Sequence, residues 1–333
     1  MASVDLSALD ASLKHRKAKG AGLMKKKMTD GWGKVKGFQK LRVLDQIVLG
    51  SLSFKSLAQP GAKGTFNPTA NALKVQARIA TVKPAKIDLL ITEVERLQLE
   101  ATYFAEIDGT DGRDPEKFMF ADHIWEFVVE QAGIDTLSGI WNGVYNASGT
   151  TAVDVVNGLV KLVDIDVISD ELPETLILAH STSGFYIQES NILAEVKAMV
   201  KLYRTKLPAY AYSPATFFCA PERVAEYEFA LEAALGQVNT YNSFNQTVVY
   251  YAKNIRFEPV ADLAGTDFMA IIPDGNILYL TDRKGDKVEL DSDYNKRDRS
   301  VALMADWWYA PNYYRADLIV TNDLRARPTL AGV

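Results

Sequence analysis

Cysteine is almost absent from this sequence. Cys219 stands alone, so no intrachain disulfide and no thiolate metal cluster can form, and a single cysteine of this kind reads as a small buried apolar residue. Histidine is nearly as scarce: His15, His123 and His180 lie far apart, and none has a second ligand at metal spacing. The longest apolar stretches are broken by charge or glycine well short of the roughly 18 residues that would span a bilayer. No membrane segment is expected. The opening residues run through Asp5, Asp10 and a lysine cluster with neither an apolar core nor a small-residue cleavage site. They do not read as a secretory signal, so a protein made and used in a cytoplasm is expected. The sequons at Asn146 and Asn245 are then sequons in spelling alone.

Catalytic and nucleotide motifs are lacking too. Gly31-Trp32-Gly33 starts like a dinucleotide loop, but the next glycine is Gly37, one position late, and no strand precedes it. Gly61-Ala62-Lys63 lacks the first glycine and the following hydroxyl of a phosphate-binding loop. The string from Asp108 to Asp114 has calcium-like spelling, yet it misses glycine at the sixth position and an acid at the twelfth. It reads as a polar turn. His180-Ser181 has no glycine-flanked nucleophile turn around it. No catalytic residue, cofactor or metal is expected, and an enzyme is the weaker class of reading.

Carboxylates are missing from one long stretch: none occurs between Asp45 and Asp88, where Lys55, Lys63, Lys74, Arg78, Lys83 and Lys86 fall. Upstream, residues 1–42 hold eleven basic side chains, among them Lys25, Lys26, Lys27, Lys34 and Lys36, against three acids. That segment carries +8, so the remainder of a chain with net charge −5 carries −13. Frequent glycine and the lack of apolar period make it an extended arm. Its candidate partners are nucleic acid, solvent and the acidic face of a neighbouring copy.

What is present is ordinary for a core-forming protein: 333 residues, 48% hydrophobic and 24% charged. Leu73 to Ile79 alternates apolar and polar, and Ile87 to Ile91 follows Pro84. Together they predict an antiparallel ribbon, which needs a surface to lie on. Asp114-Pro115-Glu116 predicts a helix start, with an apolar face from Phe120 to Ala132 and a second pattern continuing through Leu137 and Ile140. Thr150-Thr151 predicts a cap for a helix through Val163. Further helices are expected over Ile192–Leu202 and Pro221–Leu235. Strands are expected at Thr216–Cys219, Thr247–Tyr251, Ile255–Pro259, Phe268–Ile272, Ile277–Thr281, Lys287–Leu290, Ser300–Tyr309 and Leu318–Thr321. Helices followed by mixed strands predict an α+β fold. Trp307-Trp308-Tyr309 lacks interleaved basic residues, so it reads as core or subunit interface and not as a base-stacking platform.

The order of parts, together with the wording Ile140-Trp141-Asn142-Gly143-Val144-Tyr145-Asn146-Ala147-Ser148-Gly149-Thr150-Thr151, Ala220-Pro221-Glu222-Arg223-Val224 and Phe268-Met269-Ala270-Ile271-Ile272-Pro273-Asp274-Gly275, resembles the Hong Kong 97-like major capsid proteins of tailed double-stranded DNA bacteriophages. The resemblance implies an N-terminal arm over 1–50 and an E-loop β-ribbon over 51–100. It also implies a peripheral domain with a spine helix from 101–149 and 277–312, and an axial domain with a mixed sheet from 150–276 and 313–333. It implies self-assembly into hexamers and pentamers of an icosahedral shell around double-stranded DNA, with portal, scaffold or decoration proteins as further partners. The location implied is the virion capsid, assembled in the host bacterial cytoplasm. Candidate intersubunit contacts are Lys25, Lys26, Lys27, Lys34, Lys36, Lys74, Arg78, Lys83, Lys86, Trp307 and Trp308. An encapsulin-like nanocompartment shell, a cytoplasmic enzyme and a DNA-binding protein are the competing classes.

Overall fold

The computed structural model describes residues 38–54, 73–108, 120–179, 187–235, 248–282 and 289–323. The lysines at 25, 26, 27, 34 and 36, the expected helix start at Asp114 and the His180-Ser181 pair lie outside them. Within these residues, two sheets and five helices share one apolar core. The first sheet joins β1 (Phe38–Val43), β4 (Lys83–Ile91), β10 (Ile277–Asp282), β11 (Glu289–Asn295) and β12 (Ser300–Tyr313). Strand β12 is its axis: β11 and β4 both pair with residues 301–306, β10 pairs antiparallel with 309–313, and β1 runs parallel to β10. The second sheet has the order β5 (Ile177–Leu178), β13 (Val320–Asn322), β9 (Met269–Pro273), β6 (Ala215–Cys219), β8 (Ala252–Pro259) and β7 (Val248–Val249). Its central strands β6 and β9 are buried along their whole length, as a sheet covered on both faces requires.

The ribbon differs from expectation in its pairing. Strand β3 (Leu73–Thr81) pairs antiparallel with β2 (Gln46–Phe54), from Gln46 opposite Thr81 to Phe54 opposite Leu73, whereas β4 belongs to the first sheet. Val82 alone separates β3 from β4. One residue cannot form the two-residue hairpin turn that folding β4 back on β3 would require, so the chain runs on into the next sheet. Phe38 to Val43, expected as part of the basic arm, has apolar positions to bury and is built into the sheet as β1.

Helix α1 (Glu93–Asp108) was not foreseen, although Thr92 and Glu95 spell its capping box. The Thr92 N–H donates to a Glu95 carboxylate oxygen at 2.8 Å, and the Glu95 N–H to the Thr92 hydroxyl at 3.4 Å. Helix α2 (Phe120–Asn142) is continuous over 23 residues and passes through Gly133 without a break. Thr151 caps a 3-10 turn over Ala152–Asp154 instead of an α-helix. The next helix, α3 (Leu159–Ile168), starts only after Asn157-Gly158. Helices α4 (Glu189–Lys206) and α5 (Pro221–Leu235) match expectation closely. Cys219 is buried, and burial pushes its thiol far above the usual range.

Aromatic side chains join the sheets. Trp141 at the end of α2 meets Phe38 of β1 edge-on at 5.8 Å and Phe218 of β6 at 5.1 Å. Trp307 of β12 is buried and donates its indole N–H to the Thr136 hydroxyl of α2 at 3.1 Å. Burial also pushes the phenols of Tyr203 and Tyr227 up to about 12. Because the folded values lie above the unfolded value near 10, the stability these rings confer is complete below about pH 10 and falls as pH rises from there toward 12. Urea midpoints measured across that range should be flat up to about pH 10 and then drop.

Candidate functional site

The acid-free stretch delivers Arg78 to the root of the ribbon, where the β2–β3 pair leaves the body and the Val82 N–H donates to the Asp45 carbonyl at 3.0 Å. Alternation places Leu49, Arg78 and Ala80 on the face turned to the body, while the cross-strand pair Val48 and Ile79 faces out, 63% and 65% exposed. The Arg78 guanidinium lies 4.3 Å from the Tyr313 ring centroid. It contacts Asp166 of α3 at 2.5 Å, Glu171 at 3.3 Å and, through Nε, the Asn312 side-chain oxygen at 2.8 Å. Tyr313 donates its hydroxyl to the same Asp166 carboxylate. Burial alone would lower the Arg78 pKa, but Tyr313, Asp166 and Glu171 hold it above the ordinary value. Burial pushes the Tyr313 phenol far up, so it stays a donor. The arrangement gathers four side chains around one guanidinium. It fixes the ribbon to β12 and α3 of its own chain.

Arg78 is therefore an anchor within the chain, occupied by four partners, and Trp307 is a core residue held by Thr136. Trp308 is half-buried against the core. Lys83 sits 4.4 Å over the Tyr145 ring, and Lys86 is exposed and paired with Asp88. Lys74 lies on β3, opposite Ser53. Asp166, Asn312 and Tyr313 were not legible as partners of Arg78, since nothing local marks residues that distant as neighbours.

Beside the ribbon root an open groove of about 620 Å³ runs between β4, β12 and the junction after α2, with Lys83, Lys86, Asp135, Asp154 and Asp306 along it. The junction is tightly built. Val144 and Asn146 donate to the Val153 and Asp154 carbonyls at 2.8 and 2.9 Å, and the Gly158 N–H donates to the Gly143 carbonyl at 2.8 Å. A Cβ on Gly143 would collide with the Gly139 and Val156 carbonyls, and one on Gly158 with the Trp141 backbone. Thr151 donates to the Asp154 carboxylate through its N–H and its hydroxyl, which holds that carboxyl below its usual range. Among the described residues no cluster of His, Cys, Asp and Glu could hold a metal ion. No described helix is long and apolar enough to cross a membrane.

These features define an α+β protein with the fold found in phage capsids. The structure is similar to a chain of the satellite phage P4 procapsid including size determination (Sid) protein, with a TM-score of 0.56 and 13% identity, covering 92% of this chain and 98% of that one. It is similar to the cyanophage A-1(L) capsid asymmetric unit (TM-score 0.56, 11% identity, 88% and 92% covered) and to the capsid of Myoviridae phage XM1 (0.52, 10%, 89% and 92%). The sequence matches no protein-family model and no curated protein. At these identities the likeness is one of fold, and it is the fold that the sequence resemblance implied.

Proposed function

We propose that this chain is the major capsid protein of a tailed double-stranded DNA phage, a structural subunit that assembles through hexamers and pentamers into an icosahedral shell and catalyses no reaction. The observation that carries the reading is the likeness to capsid chains over about nine tenths of both partners. Subunit design supports it. A two-stranded ribbon is marginal in water on its own, and this one turns Val48 and Ile79 outward, so it gains by lying on a neighbouring copy. In this reading the N-terminal arm, the E-loop built on β2 and β3, the peripheral domain around α2 and the first sheet, and the axial domain around the second sheet keep the roles the resemblance implies. Portal, scaffold or decoration proteins and packaged DNA are the further partners, and the virion is the location.

Electron microscopy combined with size-exclusion chromatography, on protein produced alone and with phage scaffold across a range of salt, tests the proposal. Closed shells, tubes or hexameric rings are expected. A uniform small species under every condition would overturn it, and shells filled with an enzyme cargo instead of DNA would favour an encapsulin-like nanocompartment. The basic arm gives a second test. Deleting residues 1–37, which spares β1, should abolish assembly at moderate salt while leaving the thermal unfolding midpoint of the subunit within a few degrees of the full chain. Normal shells from the truncated chain would remove the arm from the mechanism.

A further inference from the structure

Several cations of the described body are matched with carboxylates: Arg78, Lys86, Lys161, Arg223, Arg256, Arg299 and Arg315 each form an ion pair within the chain. One face of α4 departs from this pattern. Lys197, Lys201 and Arg204 recur at four and three residues, which sets them on one stripe. The stripe is turned about a third of a revolution from the buried row Ile192, Val196, Met199 and Tyr203. None of the three has a carboxylate partner among the described residues, and no acid occurs in the sequence from Val196 to Pro221. Two of them lie over aromatic rings. Lys197 lies 5.5 Å from the Tyr251 ring centroid and Arg204 lies 5.9 Å from that of Tyr212.

Tyr212 is 85% exposed, and Tyr250 and Tyr251 are stacked edge-on at 5.1 Å with both rings partly in solvent. The Asn254 side-chain amide holds the Tyr212 turn in place by donating to the Ala211 and Ser213 carbonyls at 3.1 and 2.9 Å. The helix dipole favours a cation in the last turn, which accounts for Arg204 and Lys206. It does not account for Lys197 and Lys201, one to two turns earlier. A chain so rich in acid leaves three aligned cations unneutralised where they can meet an anion from outside.

We infer that this face of α4, flanked by Tyr212 and Tyr251, binds the phosphate backbone of duplex DNA, which makes it the wall of the shell turned toward the genome. The inference rests on the capsid reading for the identity of the DNA and on the geometry of the face for its location. The stripe spans about 10 Å along the helix, a length over which a duplex presents about six phosphate charges. Tyrosine hydroxyls supply further contacts to the backbone. A carboxylate surface on a second copy could also neutralise the lysines and accept from the tyrosines, but a duplex presents closely and regularly spaced charge along the whole length of the stripe, so DNA is the better match.

The test uses the full chain and a short labelled duplex, with binding measured by anisotropy across a salt series. The variant K197Q/K201Q/R204Q should lower the slope of log affinity against log salt by about 2 to 3, since each phosphate that is no longer neutralised takes about 0.9 from it. Removing three paired cations elsewhere, in K86Q/K161Q/R299Q, should change the slope by less than about 1. Tyr212→Ala should weaken binding at every salt concentration without changing the slope. The basic arm contributes equally to all of these proteins, so the differences report the face. An unchanged slope in the stripe variant overturns the inference. If that variant also fails to form shells, the face belongs to an acidic neighbour instead. Failure of the wild-type chain to assemble under any condition would defeat the capsid reading, while the slopes would still decide what the face binds.

Discussion

Replacing Arg78 with methionine is expected to lower the unfolding free energy by about 3 to 5 kcal/mol, because it leaves Asp166 buried without its counter-charge. Asp166 is 3% exposed and Arg78 16% exposed, so solvent screens the pair little. The same change removes the hydrogen bond to Asn312 and the cation over Tyr313. Urea unfolding measures the stability, and hydrogen exchange over residues 73–81 should show the ribbon root opening well before the body. The double variant R78M/D166L separates the two effects. Exchanging a buried ion pair for apolar groups of similar size is commonly neutral or stabilising, so it should recover most of the stability. Exchange at the root should stay fast, since Asn312 and Tyr313 no longer hold β3. A loss below about 1 kcal/mol in the single variant would mean that the guanidinium is no anchor.

Gly143→Ala and Gly158→Ala are expected to cost about 3 kcal/mol or more each, at the upper end of overpacking effects. The reason is what an added methyl would meet. At Gly143 it meets the carbonyls of Gly139 and Val156, and at Gly158 the Gly143 amide and the Trp141 backbone. These are main-chain atoms, and no side chain can swing away to make room. Both segments are already joined by the hydrogen bond from Gly158 to Gly143, so a shift in one displaces the other and with it Trp141 between the sheets. Gly133→Ala in the middle of α2 is the contrasting change. Nothing lies within 4 Å of its added Cβ, and the substitution should raise stability by about 0.5 to 1 kcal/mol. Thermal unfolding of the three variants checks the ordering, and a loss at Gly143 no larger than about 1 kcal/mol would show that the junction yields.

Elements whose signals are local were legible in the sequence. Helix α5 begins at Pro221 and ends at Leu235 as expected, because proline followed by Glu222 marks a first helical turn. Strands β9 and β10 are separated by Asp274-Gly275, and Gly275 has the positive φ of 87° that such a turn favours. Pairing between distant segments was not legible. Strand β3 bonds to β2 across the intervening residues 55–72, and alternation identifies a strand without naming its partner. The site was legible in part for the same reason. Charge marked the acid-free stretch and Arg78 within it, but Asp166 and Asn312 stand 88 and 234 positions away. Interior packing, not composition, gives Arg78, a candidate intersubunit contact by sequence, its partners within its own chain. The box at Thr92 and Glu95 is a readable start for α1, overshadowed by the stronger strand pattern of β4 just before it.

The first sheet also constrains how the chain is made. It takes β1 from residues 38–43 and β4 from 83–91, yet the strands they pair with lie at 277–282 and 300–313. The second sheet takes five of its six strands from residues 177–273 and adds β13 from 320–322. During synthesis β1 and β4 must therefore wait for residues 277–313 to emerge before they find their ladders, whereas most of the second sheet can form before those residues are made. A nascent chain stalled before residue 277 holds β1 and β4 as unpaired edges, open to other copies of itself. Folding order thus leaves the first sheet unfinished until its late strands have been translated.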